Sequence, residues 1–272
     1  MTTPTIAIIG AGNMGTSLIG GLIMDGHPSH KIWATDPSTE KLATLEKTFH
    51  IHTTDNNEQA IAEADVVIFA VKPQVFSTVA TPLQKAVQTR KPLVISIAAG
   101  VREVSIQTWL GGNIAIVRAM PNTPALLKCG ATGLYANPLV THEQHNIAES
   151  VLRAVGTVVW LSEEHLLDAV TALSGCGPAY FFLMMDALQT AAQELGLPPE
   201  VARLLTLQTA LGSARMAIES GTPLSELIRQ VTSPGGSTEQ ALLSLEKNDL
   251  RGAFKKALMA AKNRAEELAG LI

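Results

Sequence analysis

Three groups of residues in this chain have types and spacings that can do chemistry. The first is Gly10-Ala11-Gly12-Asn13-Met14-Gly15, a G-x-G-x-x-G pattern between the apolar run Thr5 to Ile9 and an amphipathic stretch reaching Met24. In that setting Gly10 permits a tight turn, Gly12 lets the backbone approach a pyrophosphate, and Gly15 lets a helix pack closely on a strand. Free N–H groups at the positive end of such a helix then hold the diphosphate of a dinucleotide. Asp36 lies about 20 residues further on, at the end of a second strand, where a carboxylate takes the ribose hydroxyls of NAD. Its charge would repel the 2′-phosphate of NADP, and the nearest cation in sequence is Lys41. The expectation is that NAD(H) serves at least as well as NADP(H). The other reading of Asp36 is that it starts the turn with Pro37 or caps the next helix.

The second group is Ser233-Pro234-Gly235-Gly236-Ser237-Thr238. Ser237-Thr238-Glu239-Gln240 reads as a capping box, which predicts a helix beginning just after the two glycines. Its free N–H groups and flexible backbone suit Ser233, Gly235, Gly236, Ser237 and Thr238 to a small carboxylate; a plain helix–helix turn is the other reading. The third group stands at predicted strand ends, where ligands of parallel sheets bind: Val71-Lys72-Pro73, Ala98-Ala99-Gly100 and Met120-Pro121-Asn122-Thr123-Pro124. Ser174-Gly175-Cys176-Gly177-Pro178-Ala179-Tyr180 follows in the later half. Cys129 and Cys176 match neither a disulfide framework nor a zinc set, and no paired base marks Cys176 as a nucleophile. His142 and His145 lack a carboxylate spaced to complete a triad, so no metal site is expected.

Positioning these groups takes alternating strands and helices. Strands are expected at Thr5 to Ile9, Lys31 to Thr35, Ala64 to Val71, Leu93 to Ala98, Ile114 to Met120 and Thr157 to Leu161. The third is apolar without alternation, as in a parallel strand buried on both faces. The alternation predicts a parallel sheet with right-handed crossovers. After Leu161 strand signals vanish, and helices are predicted over Pro178 to Leu195, Pro199 to Ser220 and about Arg251 to Leu268, with breaks at Gly221 to Pro223 and Thr232 to Thr238. The expected fold class is α/β: a Rossmann-type dinucleotide-binding domain over 1–161, then an all-α dimerisation domain over 162–272.

Composition narrows the function classes. Of 272 residues, 20 are Lys or Arg and 24 Asp or Glu, a net charge of −4. The charged fraction is 16% against 46% hydrophobic, which excludes intrinsic disorder and leaves no cationic surface for a nucleic acid. The runs Val66 to Val71 and Leu93 to Ala99 fall far short of the ~20 residues a spanning helix needs, and the N-terminal residues carry no basic flank. No membrane partner is expected, and a reducing cytoplasmic setting is. The Pro199 to Ser220 stretch is apolar around most of its circumference, so it needs burial on nearly every side. Too few partners exist within the helical half, which points to a second copy of the chain.

On the strand-end motifs, SGCGPAY and SPGGST, in this order and essentially end to end, the chain resembles the pyrroline-5-carboxylate reductase family. The resemblance implies hydride transfer from NADPH or NADH to the C=N carbon of 1-pyrroline-5-carboxylate, giving L-proline, the last step of proline biosynthesis. It implies that the Thr238 hydroxyl reaches the ring nitrogen, and that the cofactor contacts fall on Gly10, Ala11, Gly12, Asn13, Met14, Gly15, Asp36, Asn57, Ala70, Val71, Lys72, Pro73 and Ala98. It further implies a homodimer through the helical domain, assembled into a larger oligomer such as a decamer. Cys176, Gly221 and Ile228-Arg229 depart from the family's usual residues. Two rival readings fit less well. A β-hydroxyacid dehydrogenase needs a lysine in the helical half, and none stands between Lys128 and Lys247. A nucleotide sensor without catalysis needs no second small-molecule site such as SPGGST.

Overall fold

The structure, a computed structural model, describes residues 3–270; the outermost residues of the two expected domains, 1–2 and 271–272, lie outside them. Among the described residues eight strands form one sheet: β1 Ile6–Ile9, β2 Ile32–Thr35, β3 His52–Thr54, β4 Val66–Phe69, β5 Leu93–Ser96, β6 Ile116–Met120, β7 Gly130–Ala136 and β8 Gly156–Trp160. Their order is β3-β2-β1-β4-β5-β6-β7-β8. Helices α1 Asn13–Met24, α2 Thr39–Phe49, α3 Asn57–Glu63, α4 Pro73–Ala80, α5 Gln84–Arg90, α6 Glu103–Trp109, α7 His142–Arg153 and α8 Leu166–Val170 connect and follow them.

The burial pattern of β1 shows why this sheet forms. Ile6 and Ile8 enter one core with Leu18, Val117 and Leu152, whereas Ala7 and Ile9 enter the other with Phe69, Phe76 and Ile106. Alternate side chains thus go to opposite faces, each covered by helices. β1 pairs in parallel with β2 on one side and β4 on the other. The chain therefore reverses its direction of travel across the sheet beside β1, opening a crevice at the strands' carboxyl ends.

Two strands depart from the sequence expectation. β3 is a three-residue edge strand, and β7, rich in Gly and Ala, runs antiparallel to β6 and parallel to β8. The sheet is therefore mixed rather than wholly parallel. The strands end at Trp160, but the compact units divide later. One unit runs through Cys176 and takes up the chain again from Ala260; the other is Gly177–Met259. Ion pairs bind the intervening residues to the sheet. Arg118, 4% exposed on β6, meets Glu164 at 2.7 Å, and Arg102 at the head of α6 meets Asp168 of α8 at 2.7 Å. Burial pulls the Arg118 guanidinium below its ordinary range, with Glu164 opposing the shift. These contacts place residues 162–176 with the sheet rather than with the helices that follow.

The second unit holds α9 Gly177–Glu194, α10 Pro199–Ser220, α11 Leu224–Gln230, α12 Ser237–Lys247 and the first half of α13, Leu250–Ala269. α10 begins at the predicted Pro199 and ends at Gly221 in the left-handed conformation. Its Ala202 is buried, yet Leu204, Leu205, Leu211 and Met216 are all more than half exposed, as are Phe181, Phe182 and Leu183 on α9. The helical stretch Leu166–Glu194 is also long and apolar enough to cross a membrane by length and composition. In the sequence its apolar pattern is interrupted by Asp168 and the Gly-Cys-Gly-Pro turn, which hides its length.

Candidate active site

The carboxyl ends of β1, β2, β4 and β5 are brought into line by hydrogen bonds that continue past the strands. Gly10 N donates to Thr35 O at 2.9 Å, Ala70 N to Ile9 O at 2.9 Å, and Ile97 N to Phe69 O at 3.2 Å. The three glycines of the first motif have distinct duties. Gly10 has φ +106°, and a Cβ there would stand 2.8 Å from Ala70 O. At Gly15 a Cβ would fall 2.3 Å from Gly10 O, so this residue allows α1 to lie against the turn. Gly12 meets nothing within 4 Å. The space beside it is open, it is the N-cap of α1, and no side chain caps that helix. Backbone donors of the Gly12, Asn13 and Met14 turn are thus free of a competing side chain at the positive end of a helix. This cradle, which a Cβ at Gly12 would fill, fits the diphosphate of a dinucleotide.

Asp36 follows β2 with its side chain 9% exposed. Its Oδ2 accepts the N–H of Ala11 at 3.0 Å and its Oδ1 that of Ser38 at 3.0 Å, and Lys41 Nζ stands 3.5 Å away. Of the readings raised for this residue the structure shows the turn: Asp36 makes the turn beyond Pro37 and also ties it to the glycine loop, while Ser38 is the N-cap of α2. Asn57, the first residue of α3, accepts the Thr35 hydroxyl through Oδ1, linking it to the end of β2. On the other side of β1, Ala70 and Val71 lie against Gly10, exposed Lys72 is the N-cap of α4, and Pro73 opens that helix. Ala98, after β5, is buried and donates its N–H to Ser96 Oγ at 3.4 Å. All the expected cofactor positions therefore belong to the first unit and gather along one sheet edge. At that edge a cavity of about 600 Å³ is bordered by Pro73, Ser77, Ala99, Gly100, Thr171 and Leu268; the sequence singled out Pro73, Ala99 and Gly100 but neither Ser77 nor Thr171.

The second group lies in the second unit. Gly235 has φ +72°, which only glycine adopts at no cost. Gly236 N donates to Ser233 O at 3.0 Å, and Gly236 is the N-cap of α12, with Ser237 and Thr238 exposed in its first turn. The helix starts where expected, but the capping box does not form. Glu239 reaches back one residue further, to the Gly235 N–H at 2.8 Å, and no side chain caps Gly236. The reason is positional: the N-cap is the glycine before Ser237, so the serine hydroxyl lies inside the helix. The consequence for a ligand is an open N-terminus with a hydroxyl, that of Thr238, beside it. No cluster of metal-ligating side chains occurs among the described residues.

Comparisons with known proteins give the chain its family. Residues 164–268 match the family described as pyrroline-5-carboxylate reductase dimerisation, and residues 5–100 match NADP oxidoreductase coenzyme F420-dependent. The chain is 49% identical over 269 residues to a pyrroline-5-carboxylate reductase of Pseudomonas aeruginosa, covering 99% of this chain and 98% of that protein. It is 44% identical to that of Vibrio alginolyticus, covering 97% of each. Among solved structures it is similar to a pyrroline-5-carboxylate reductase from Coxiella burnetii, with TM-score 0.95 and 49% identity over 98% of this chain and 99% of that one. It is also similar to the Plasmodium falciparum pyrroline carboxylate reductase solved with NADP bound, with TM-score 0.87 and 28% identity over 99% of each.

Proposed function

The chain belongs to the pyrroline-5-carboxylate reductase family, and from that premise we propose how its residues divide the work. The protein is an NAD(P)H-dependent oxidoreductase that reduces 1-pyrroline-5-carboxylate to L-proline, the last step of proline biosynthesis. The nicotinamide supplies the hydride when bound. The chain's own task is to bind and orient each reactant.

Gly10 to Gly15 take the diphosphate on backbone N–H groups. Asp36 and Asn57 shape the adenosine side of the cradle, and Ala70 to Pro73 with Ala98 border the nicotinamide side. Because both oxygens of Asp36 accept backbone N–H groups, its charge is engaged within the protein, and we assign the chain both NADPH and NADH. Ser233, Gly235, Gly236 and Ser237 form the turn that brings the substrate carboxylate to the first free N–H groups of α12, those of Gly235 and Gly236 being held by Glu239 and Ser233, and the Thr238 hydroxyl meets the ring nitrogen. A cyclic imine binds already protonated, and the iminium accepts a hydride readily. Orientation therefore supplies most of the rate, and no side chain needs to act as a strong acid. Cys176 has no part in it.

The protein works as a homodimer joined through the helical half, assembled further into a larger oligomer such as a decamer, in the cytoplasm. Apolar side chains on α9 and α10 support this reading, as does the match of residues 164–268 to a dimerisation family. A partner helix covers the apolar face of Leu166–Glu194 in place of lipid.

The observation that bears most on the site is the pairing, in one chain, of an uncapped glycine turn at Gly12 with an uncapped, glycine-led helix entry at Gly236. The test is Thr238→Ala. Turnover falls and the affinity for NADPH, read from nicotinamide fluorescence, is unchanged. Unchanged turnover removes Thr238 from the site.

A further inference from the structure

Two motifs that the reaction leaves without a role, Met120 to Pro124 and Ser174 to Tyr180, meet at a single side chain. Between α8 and α9 the chain makes a π-helical turn, Thr171–Gly175, closed by the wide bond from Cys176 N to Thr171 O at 2.8 Å. Such turns are costly to form and need support from outside the helix. Here the Thr171 and Ser174 hydroxyls bond back to Leu167 O and Val170 O, at 2.8 and 3.1 Å, and loosen the turn further. Pro178 also has no N–H to give the Ser174 carbonyl at the i+4 position. The missing donor comes from across the fold: Asn122 Nδ2 donates to Ser174 O at 3.0 Å. The other end of the same amide accepts the Ala131 N–H at 2.9 Å, at the start of β7. Beside it Gly175 lies so close to Met120 that a Cβ there would stand 2.6 Å from the methionine methyl. The loop after β6 thus grips the π turn at two successive points, and Thr171 at its head borders the cavity shared with Pro73, Ala99 and Gly100.

We propose that Asn122 is a positioning residue for hydride transfer: by replacing the donor that Pro178 lacks, it holds the π turn so that Thr171 walls the cavity at the carboxyl ends of β4 and β5. The inference rests on the reading of that edge as the nicotinamide side. Both polar ends of Asn122 are engaged within the protein, so its role is indirect. It fixes a wall and leaves the diphosphate cradle untouched.

The test measures steady-state reduction of pyrroline-5-carboxylate and NADPH affinity by fluorescence in the full chain. Asn122→Ala lowers kcat by about 10- to 100-fold while the NADPH Kd stays within about twofold. Adding Pro178→Ala restores a backbone donor for Ser174 and recovers most of the loss. Asn122→Asp, matched in shape, keeps the acceptor for Ala131 but sets a carboxylate oxygen against Ser174 O in place of the donor, so it reproduces the defect even where the alanine variant folds poorly. Three results overturn the proposal: kcat unaffected in both variants, NADPH affinity falling in proportion to the rate, or no recovery on adding Pro178→Ala. A wild-type chain that binds NADPH but does not reduce the imine would instead refute the assigned reaction, which separates the two failures.

Discussion

The carboxylate of Asp36 accepts the backbone N–H of Ala11 at 3.0 Å, joining the end of β2 to the glycine loop after β1. The same carboxylate accepts Ser38 N, and little of it reaches solvent. An acidic residue at this point reads in sequence as a contact to ribose, or as a signal against NADPH. In the fold it also braces the loop assigned to the diphosphate. Removing it should cost both cofactors alike, because both carry that diphosphate. Asp36→Ala is expected to weaken NADH and NADPH by about 10-fold each, the worth of one hydrogen bond to a charged group. Fluorescence titration checks this. Loss of NADH alone, with a gain in NADPH, would show a direct ribose contact instead.

The glycines separate folding from binding. Gly12 meets no atom within 4 Å at its missing Cβ and has an ordinary φ of −76°. Gly12→Ala should therefore leave the melting temperature within a degree or two of wild type and abolish the stabilisation that cofactor confers. Gly15→Ala drives a methyl group to 2.3 Å from Gly10 O and should cost about 1–3 kcal/mol of stability. Thermal unfolding with and without NADPH reads both effects.

What the sequence made legible follows these same physical lines. The glycine turn, the buried apolar strands and the breaks at Gly221 and Gly235 each have a residue-level cause, and each appears in the fold. β3 escaped because His52-Thr53-Thr54 is a short, partly exposed edge with no apolar alternation. β7 escaped because Gly130, Gly133 and the small residues around them pack by close approach rather than bulk: a Cβ on Gly133 would stand 2.9 Å from Val170. The brace from Asp36, the reach of Glu239 to Gly235 and the Asn122 bridge were out of view for another reason. Each joins groups whose spacing in the chain says nothing about their distance in space, or depends on which residue becomes the N-cap.

Acid sensitivity should have a local component at His27. Burial lowers its pKa from the ordinary 6.5, with Lys31 and His30 adding to the shift, although a hydrogen bond to the Pro4 backbone opposes it; Nε2 is buried without a partner. The folded state thus binds its proton less readily than the unfolded chain. The stability this confers is fully present above the unfolded pKa and is lost as pH falls through the lowered folded value. Melting temperature followed downward from about pH 7 should fall less steeply in His27→Gln than in wild type. Parallel curves would exclude His27.

The apolar faces of α9 and α10 give an assembly prediction. Leu205 is 53% exposed on α10, and a charge buried there without a partner would oppose association. The wild-type chain should scatter light as a dimer or larger at micromolar concentration, and Leu205→Glu should shift it towards the monomer. A wild-type monomer would remove the helical half as an interface.

The most direct measurement mixes the purified chain with 1-pyrroline-5-carboxylate and NADPH or NADH and follows nicotinamide absorbance together with L-proline. The predicted result is oxidation of the cofactor matched mole for mole by proline, with Gly12→Ala losing the reaction while remaining folded. Absence of oxidation with both cofactors, from a chain that binds them, would contradict the account.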